Sequence, residues 1–309
     1  MVLPILPNAV HDGILDGRAV AAVLSREVAM HLSRLREDGL HLTIALVRVG
    51  DDPASEIYVR HKVRACERVG LRSQVHHLDS LTTTERLLDV VNALNDDGDV
   101  DGILVQLPLP SQIDEDEVLL TVDPSKDVDG FHPANLGKLM AGSGLLEPCT
   151  PSGVMTLLAA AGVEVRGKRA VVVGRSVIVG RPMAQMLLRA DATVTVCHRH
   201  TTDLATLVRE ADILVVATGV PGLIKGDWVK EGSVVIDVGI NRLEDQRLVG
   251  DVEFLEAKKR ARAVTPVPGG VGPMTIATLM WNTLLAGSAR RGALGEDIRN
   301  DLRRSRHIR

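Results

Sequence analysis

The sequence predicts an α/β protein of two domains built on parallel sheet, and three observations predict it. Continuous Val/Ile/Leu runs alternate with helix-period stretches along the chain, the pattern of strands covered on both faces by crossover helices. The 309 residues correspond to about two domains of roughly 150 residues each. Two Pro/Gly-rich segments, PCTPSG at 148–153 and TPVPGGVGP at 265–273, bracket one compact strand–helix series.

Each element follows in order. LTIALVR (42–48) is the first strand, followed by a helix over 54–69 whose Ile57, Val63, Cys66 and Val69 form an apolar set. A helix over 83–94 leads to the strand DGILVQL (101–107), which puts Gln106 at a strand end, where loops of α/β folds carry function. PCTPSG starts a helix over 152–161, with Thr150 as its cap and Pro151 in its first position. The strands RAVVV (169–173), ATVTVC (192–197), DILVVA (212–217) and SVVIDV (233–238) come next, with helices over 180–190 and 202–210 among them. A last helix, over 274–286, returns to the first domain. The expected division is 1–148 plus 273–309, and 149–272.

Composition narrows the function classes. Apolar residues make up 45% of the chain, but only two Phe, two Trp and one Tyr are present. So few rings exclude a nucleic-acid platform of stacked aromatics. Disorder is excluded by the apolar content. The net charge of −4 gives no reason for a polyanionic partner. Seven Arg against three acids from Ala289 to Arg309 make the ending basic, which reads as a solvated helix end. Cys66, Cys149 and Cys197 are odd in number and lack CxxC spacing, so neither a disulfide framework nor a zinc site is predicted. The opening MVLPILPNAVHDG has no basic n-region, and no apolar run approaches the roughly 18 residues of a membrane span. A reduced, cytoplasmic protein without nucleic-acid or membrane partners is expected.

RAVVVGRSVIVGRP (169–182) carries the nucleotide signal. Gly174 ends a strand and Gly180 opens a helix, so backbone N–H groups and a helix N-terminus face a pyrophosphate. Ser176 stands where the strict GxGxxG fingerprint has its second glycine, and a plain βα turn is the competing reading. The next strand ends in Cys197-His198-Arg199-His200, where an NAD site usually places an acid. Arg199 there, with Arg175 in the loop, suits a 2′-phosphate, so NADP is predicted over NAD. The second domain is therefore expected to be Rossmann-like.

In SEIYVRHKVRACERVG (55–70), Tyr58 and Lys62 are four apart and project from one helix face. A lysine of lowered pKa serves as a general base; a surface lysine beside a packed tyrosine is the alternative. KDVDGFHPANLGKL (126–139) offers Asp127 and Asp129, which turns and caps also use, and no metal-ligand set accompanies them. The glycines of PVPGGVGPMT (266–275) let backbone approach a flat ligand or shape the interdomain turn.

Taken together, YVRHK, DGILVQLPLP, KDVDGFHPANLG, PCTPSG, GRSVIVGRPM, DVGIN (237–241) and TPVPGGVGPMT occur in this order over nearly the whole chain. The sequence resembles the bifunctional methylenetetrahydrofolate dehydrogenase/methenyltetrahydrofolate cyclohydrolases of the FolD family. The resemblance implies a folate-side α/β domain and an NADP-binding domain with the active-site cleft between them. It also implies a homodimer acting on tetrahydrofolate one-carbon derivatives. NADP+ would take hydride from 5,10-methylenetetrahydrofolate, and hydrolysis of the methenyl product would give 10-formyltetrahydrofolate. By motif, Lys62 matches the lysine assisting the cyclohydrolase step, Gln106 the residue tuning it, Tyr58 the ring against the folate, and Asp129 the carboxylate on the pterin. Gly174, Arg175, Ser176 and Ile240 match dinucleotide contacts, while Pro266, Gly269 and Gly270 border the folate. Val177 departs from the usual polar residue of its loop, and the Arg-rich ending has no counterpart role. A dehydrogenase without the second activity and a non-catalytic folate or NADP module are the competing readings; the presence of Lys62, Gln106 and Asp129 argues against both.

Overall fold

The computed structural model describes residues 9–295; the last fourteen residues of the arginine-rich ending lie outside the described residues. The chain opens with β1 (Val10–His11) and β2 (Ile14–Leu15), then α1 (Gly17–Glu37). It continues through β3 (Thr43–Val49), α2 (Pro53–Val69), β4 (Arg72–Leu78), α3 (Thr84–Asp96) and β5 (Gly102–Val105). Two short helices, α4 (Glu115–Thr121) and α5 (Pro133–Met140), precede α6 (Cys149–Ala160). The series β6 (Arg169–Val173), α7 (Gly180–Arg189), β7 (Thr193–Cys197), α8 (Leu204–Arg209), β8 (Ile213–Val216) and β9 (Val234–Asp237) follows. A small hairpin of β10 (Asn241–Arg242) and β11 (Leu248–Val249), then α9 (Phe254–Arg260), β12 (Ala263–Val264) and α10 (Val271–Arg290), complete it.

The chain divides into two compact units, and the boundaries fall inside α1 and α10. One unit holds residues 24–149 and 276–295 around a three-stranded parallel sheet ordered β4-β3-β5. Central β3 is buried along its whole length, and Ala45, Val47 and Val49 pack with Leu87, Val91 and Ile103. The sequence reading omits β4, because RSQVHHL is polar and lies at the sheet edge. A search for continuous apolar runs finds strands covered on both sides and passes over such an edge.

The other unit holds residues 9–23 and 150–275 around a seven-stranded sheet ordered β1-β2-β12-β9-β8-β6-β7. Only the β1–β2 pair is antiparallel. Residues 9–23 join this unit, rather than the expected 1–148 segment, because Ile14 pairs with Val264. Strands of two residues leave no periodic trace in a sequence. The buried valines of β6, β8 and β9 form the core with Val208, Ile224 and Ala257. Chain order reverses at β6, which has β7 on one side and β8 on the other; this is a topological switch point, where open α/β sheets bind ligands at the carboxyl ends of their strands.

Local chemistry accounts for the helix that carries Tyr58 and Lys62. Asp52 caps α2 by accepting from Ser55 N at 2.7 Å, and Pro53 occupies the first turn. Gly70, at φ 78°, closes the helix in the left-handed region. Its buried side is Ser55, Val59, Ala65, Cys66 and Val69, which corrects the expected apolar set: Ile57 is exposed. Nine positions separate Ile57 from Cys66, about half a turn around a helix of roughly 3.6 residues per turn. A second correction concerns Thr150. The helix α6 begins at Cys149, so Thr150 lies within it, and its hydroxyl pairs with that of Thr275 at 3.0 Å. Among the described residues no helix is long and apolar enough to cross a membrane.

Candidate functional site

In the three-stranded unit the side chains converge on Lys62. Helix α2 presents Lys62 and, one turn earlier, Tyr58, whose ring is exposed. Gln106 immediately follows β5, held by its main-chain N–H on Val47 O at 2.8 Å. Its side-chain amide nitrogen donates to Leu107 O, which turns the amide oxygen towards Lys62, and Lys62 Nζ donates to that oxygen at 2.9 Å. Burial depresses the pKa of Lys62, while the charge of Asp129 works to restore it. Asp129 is raised to about 6, first by burial, against the pull of the Lys62 ammonium.

The two acids of KDVDG have different jobs. Asp127 forms the turn: its carboxylate accepts from the N–H groups of Gly130, Phe131 and His132 and from Asn135 Nδ2. Asp129 is the acid within electrostatic reach of Lys62. Lys126, fully buried, donates to the carbonyls of Leu94, Asn95 and Asp97 at 2.7–2.8 Å, anchoring the segment to the end of α3.

Three residues near this cluster are given no place in the site by the sequence reading. Cys149 donates from Sγ to Val128 O at 3.2 Å, and its thiol is held well above its usual pKa by burial and then by Asp129. Cys66, raised to about 12 by burial, lies 3.5 Å from Met280 Sδ. Asn282, from α10, donates to Val128 O and Glu147 O at 2.8 and 2.9 Å, tying the backbone just before Asp129 to that just before α6. PCTPSG and YVRHK stood close enough to flag the cysteines; nothing local in the sequence flags Asn282. Chemically, the cluster is an amine of lowered pKa, oriented by an amide oxygen, beside a carboxylate and thiols kept protonated. It can carry a proton and bind an N–H-rich ligand.

The predicted dinucleotide residues lie in the seven-stranded unit. Gly174 ends β6 with φ 123°, and its N–H donates to Cys197 O at 2.9 Å. A Cβ on Gly174 would fall on the carbonyl oxygen of Ala217, at the end of β8, and one on Gly180 would fall on the carbonyl oxygen of Gly174. Glycine is required at both positions by this close approach. Ser176 accounts for the missing fingerprint glycine: its Oγ accepts from Val179 N at 3.2 Å and Gly180 N at 3.4 Å, ordering the loop ahead of α7. Arg175 follows Gly174. Arg199 lies two residues beyond Cys197, the register partner of Val173 on β6, and its Nε donates to His200 Nε2 at 3.0 Å. The two arginines thus flank adjacent strand ends. Ile240 is exposed in the segment after β9. Pro266, Gly269 and Gly270 belong to this unit too, just ahead of α10, with Gly270 O against Gly17. The structure therefore gathers Tyr58, Lys62, Gln106 and Asp129 in one unit and the remaining predicted residues in the other.

Comparison with known proteins agrees along the chain. Residues 15–129 match the family model for the tetrahydrofolate dehydrogenase/cyclohydrolase catalytic domain, and residues 148–291 match that of its NAD(P)-binding domain. The Bifunctional protein FolD 2 of Geobacter metallireducens is 56% identical over 273 residues, covering 88% of this chain and 96% of its own. Among solved structures, the bifunctional FolD of Campylobacter jejuni is 51% identical with a TM-score of 0.88, over 90% of this chain and 99% of its own. The Trypanosoma brucei methylenetetrahydrofolate dehydrogenase-cyclohydrolase, solved with NADP and an inhibitor, is 42% identical with a TM-score of 0.87, over 93% and 99%. With both of its domains matched and this identity sustained over most of its length, the chain belongs to the tetrahydrofolate dehydrogenase/cyclohydrolase family.

Proposed function

We propose that this chain oxidises 5,10-methylenetetrahydrofolate with NADP+ and hydrolyses the methenyl product to 10-formyltetrahydrofolate. The observation that carries the reading is the Lys62–Gln106 hydrogen bond beside Asp129. When bound, NADP+ supplies the hydride acceptor. The residues present fit it: the tight turn that Gly174 and Gly180 allow runs from the end of β6 into the N-terminus of α7, a place suited to a pyrophosphate. Ser176 lies in the turn, and Ile240 follows β9 in the same unit. Arg175 and Arg199 offer two guanidinium forks for a 2′-phosphate, favouring NADP over NAD.

The carbon that loses hydride lies between two nitrogens that stabilise the resulting cation, so the first step asks mainly for orientation. Tyr58 lays its exposed ring against the folate and Asp129 accepts from the N–H groups of the pterin. By motif, Pro266, Gly269 and Gly270 are also read as folate-binding residues. Hydrolysis asks for proton handling. Neutral Lys62 takes a proton from the water attacking the methenyl carbon, and Gln106 keeps the amine aimed. The carbon–N5 bond then breaks as Lys62 returns that proton to N5. The hydroxyl left on the carbon releases its own proton to solvent as it becomes the formyl C=O, and the formyl group stays on N10. Burial lowers the pKa of Lys62 towards the range where an amine both accepts and releases a proton.

The reading assigns the folate to the unit of Lys62 and the dinucleotide to that of Gly174, the expected 1–148 plus 273–309 and 149–272 in outline. It includes a homodimer, for which β4 supplies a sheet edge with Val75 exposed. Nucleic-acid and membrane partners have no place in it. Three buried, unpaired cysteines suit a reducing cytoplasm. The test is to incubate the protein with methylenetetrahydrofolate and NADP+ and follow NADPH and methenyl absorbance separately. NADPH without decay of the methenyl signal leaves a dehydrogenase alone, and no NADPH overturns the reading. Light scattering tests the dimer.

A further inference from the structure

The motif DVGIN contributes more than Ile240. Its first residue, Asp237, ends β9, and fourteen residues later Asp251 lies beyond β11. Both carboxylates are buried, at 3% and 0% exposure. Asp237 accepts from the N–H groups of Gly239, Asp251 and Val252 at 2.9–3.0 Å. Asp251 uses one oxygen for Thr218 N at 2.6 Å, Thr218 Oγ1 at 2.9 Å and Gly219 N at 2.9 Å, and the other for Asn241 Nδ2 at 2.8 Å. All of these donors are neutral.

Burying two acids beside each other without a cation is costly, and here the cost falls on one place. The segments they tie together are the turn after β8 and the hairpin after β9, both at carboxyl ends of the parallel sheet. Ala217, the residue before Thr218, is the one whose carbonyl meets Gly174. Ile240 lies between Gly239 and Asn241, both held by the acid pair. The packing leaves no slack: a Cβ on Gly239 would strike the Asp251 carboxylate, and one on Gly250 the Asp237 carboxylate. Thr218 Oγ1 also accepts from Val220 N at 3.3 Å, extending the order along the turn.

We propose that Asp251, supported by Asp237, is a positioning residue of the dinucleotide site, holding the 218–220 turn and the Ile240 hairpin in the geometry that NADP meets. The role rests on the NADP reading above. A turn ordered in advance loses less freedom when the ligand arrives, which raises affinity without a direct contact.

The test is isothermal titration of NADP+ into the wild-type protein and its Asp251→Ala, Asp251→Asn and Thr218→Val variants, with thermal melting to report folding. Asp251→Ala is expected to bind NADP+ about tenfold more weakly as the turn loses its prior order. Asp251→Asn keeps one carbonyl oxygen for the Thr218 and Gly219 N–H groups and is expected to recover part of that loss. Thr218→Val deletes the hydroxyl's bond to Asp251 and the one it accepts from Val220 N, and should give a loss of about two- to threefold. In turnover, the KM for NADP+ should rise more than the KM for the folate. Wild-type affinity in any folded Asp251 variant overturns the role, as does an equal rise of both KM values. If Asp251→Ala does not fold, the other two variants decide by the same criterion. Failure of the wild-type protein to bind NADP+ overturns the cofactor reading itself, a result distinct from variants that bind as well as wild type.

Discussion

Each unit of the molecule places an ionisable pair out of full solvent contact, and the two pairs are opposite in kind. In the three-stranded unit a carboxylate, Asp129, stands within electrostatic reach of an ammonium, Lys62; both remain partly accessible. In the seven-stranded unit Asp237 accompanies another acid, Asp251, and both are sealed from solvent. Burial raises both aspartates, Asp129 to about 6 and Asp237 to about 7. Lys62 opposes the rise of the first, whereas Asp251 adds to the rise of the second, against main-chain N–H donors that lower it. A pair whose oxygens are taken up by neutral main-chain and side-chain donors of its own loops fixes their shape. A pair that stays reachable, with its amine aimed by one amide oxygen, can meet a substrate and pass a proton. Similar pKa shifts therefore mark two different duties, and the hydrogen-bond partners tell them apart.

Substitutions can break that contrast, and the largest effect should come from Lys62→Met. Methenyl hydrolysis is expected to fall by about a hundredfold or more, the scale of a lost general base, with folate binding retained; hydrolysis followed by absorbance checks it. An undiminished rate would remove Lys62 from proton transfer. Next in size, Asp129→Ala should raise the folate KM about tenfold or more, as the loss of a charge-assisted hydrogen bond does. An unchanged KM and kcat would make Asp129 a turn residue like its neighbour Asp127.

Asp129→Asn sharpens the same side through pH. The Asp129 charge raises the pKa of Lys62, so removing it lowers that pKa. The neutral amine, which is the base, then appears at lower pH. The rising limb of the hydrolysis rate should move down the pH scale in the variant, and a stationary limb would dissolve the pair. Tyr58→Ala should cost about three- to tenfold in folate affinity, the range of an aromatic contact. The ring is 43% exposed, so the melting temperature should change little. A large drop in melting temperature with unchanged affinity would return Tyr58 to a packing role.

The smallest effect is expected from Asp237→Asn, read through pH. Native Asp237 keeps its proton up to about 7, whereas the unfolded chain releases it near 3.8. Between those values the native state binds more protons, so stability falls as pH rises, and the decline levels off above about 7. Asp237→Asn should flatten this slope in melting temperatures measured at several pH values across that window. An equal slope in the variant would assign the pH dependence to other groups.

Much of this was legible in the sequence. Valine-rich runs marked the central strands, because a strand covered on both faces has no polar side. The spacing of Tyr58 and Lys62 put them on one helix face, and Gly174 with Gly180 marked a strand–turn–helix. Arg175 and Arg199 could be placed just beyond two adjacent strand ends. These signals are local, fixed by helix period, strand period and turn chemistry. Tertiary structure alone decided the rest. It turned Ile57 outward, made the polar β4 a strand, joined residues 9–23 to the seven-stranded sheet and gave Asp127 its turn bonds, where motif resemblance singles out Asp129 without showing why. It also brought Gln106 to Lys62 across 44 positions and Asn282 to Val128 across 154. Such partners are chosen by packing and register between distant segments, and neither leaves a periodic trace in the chain.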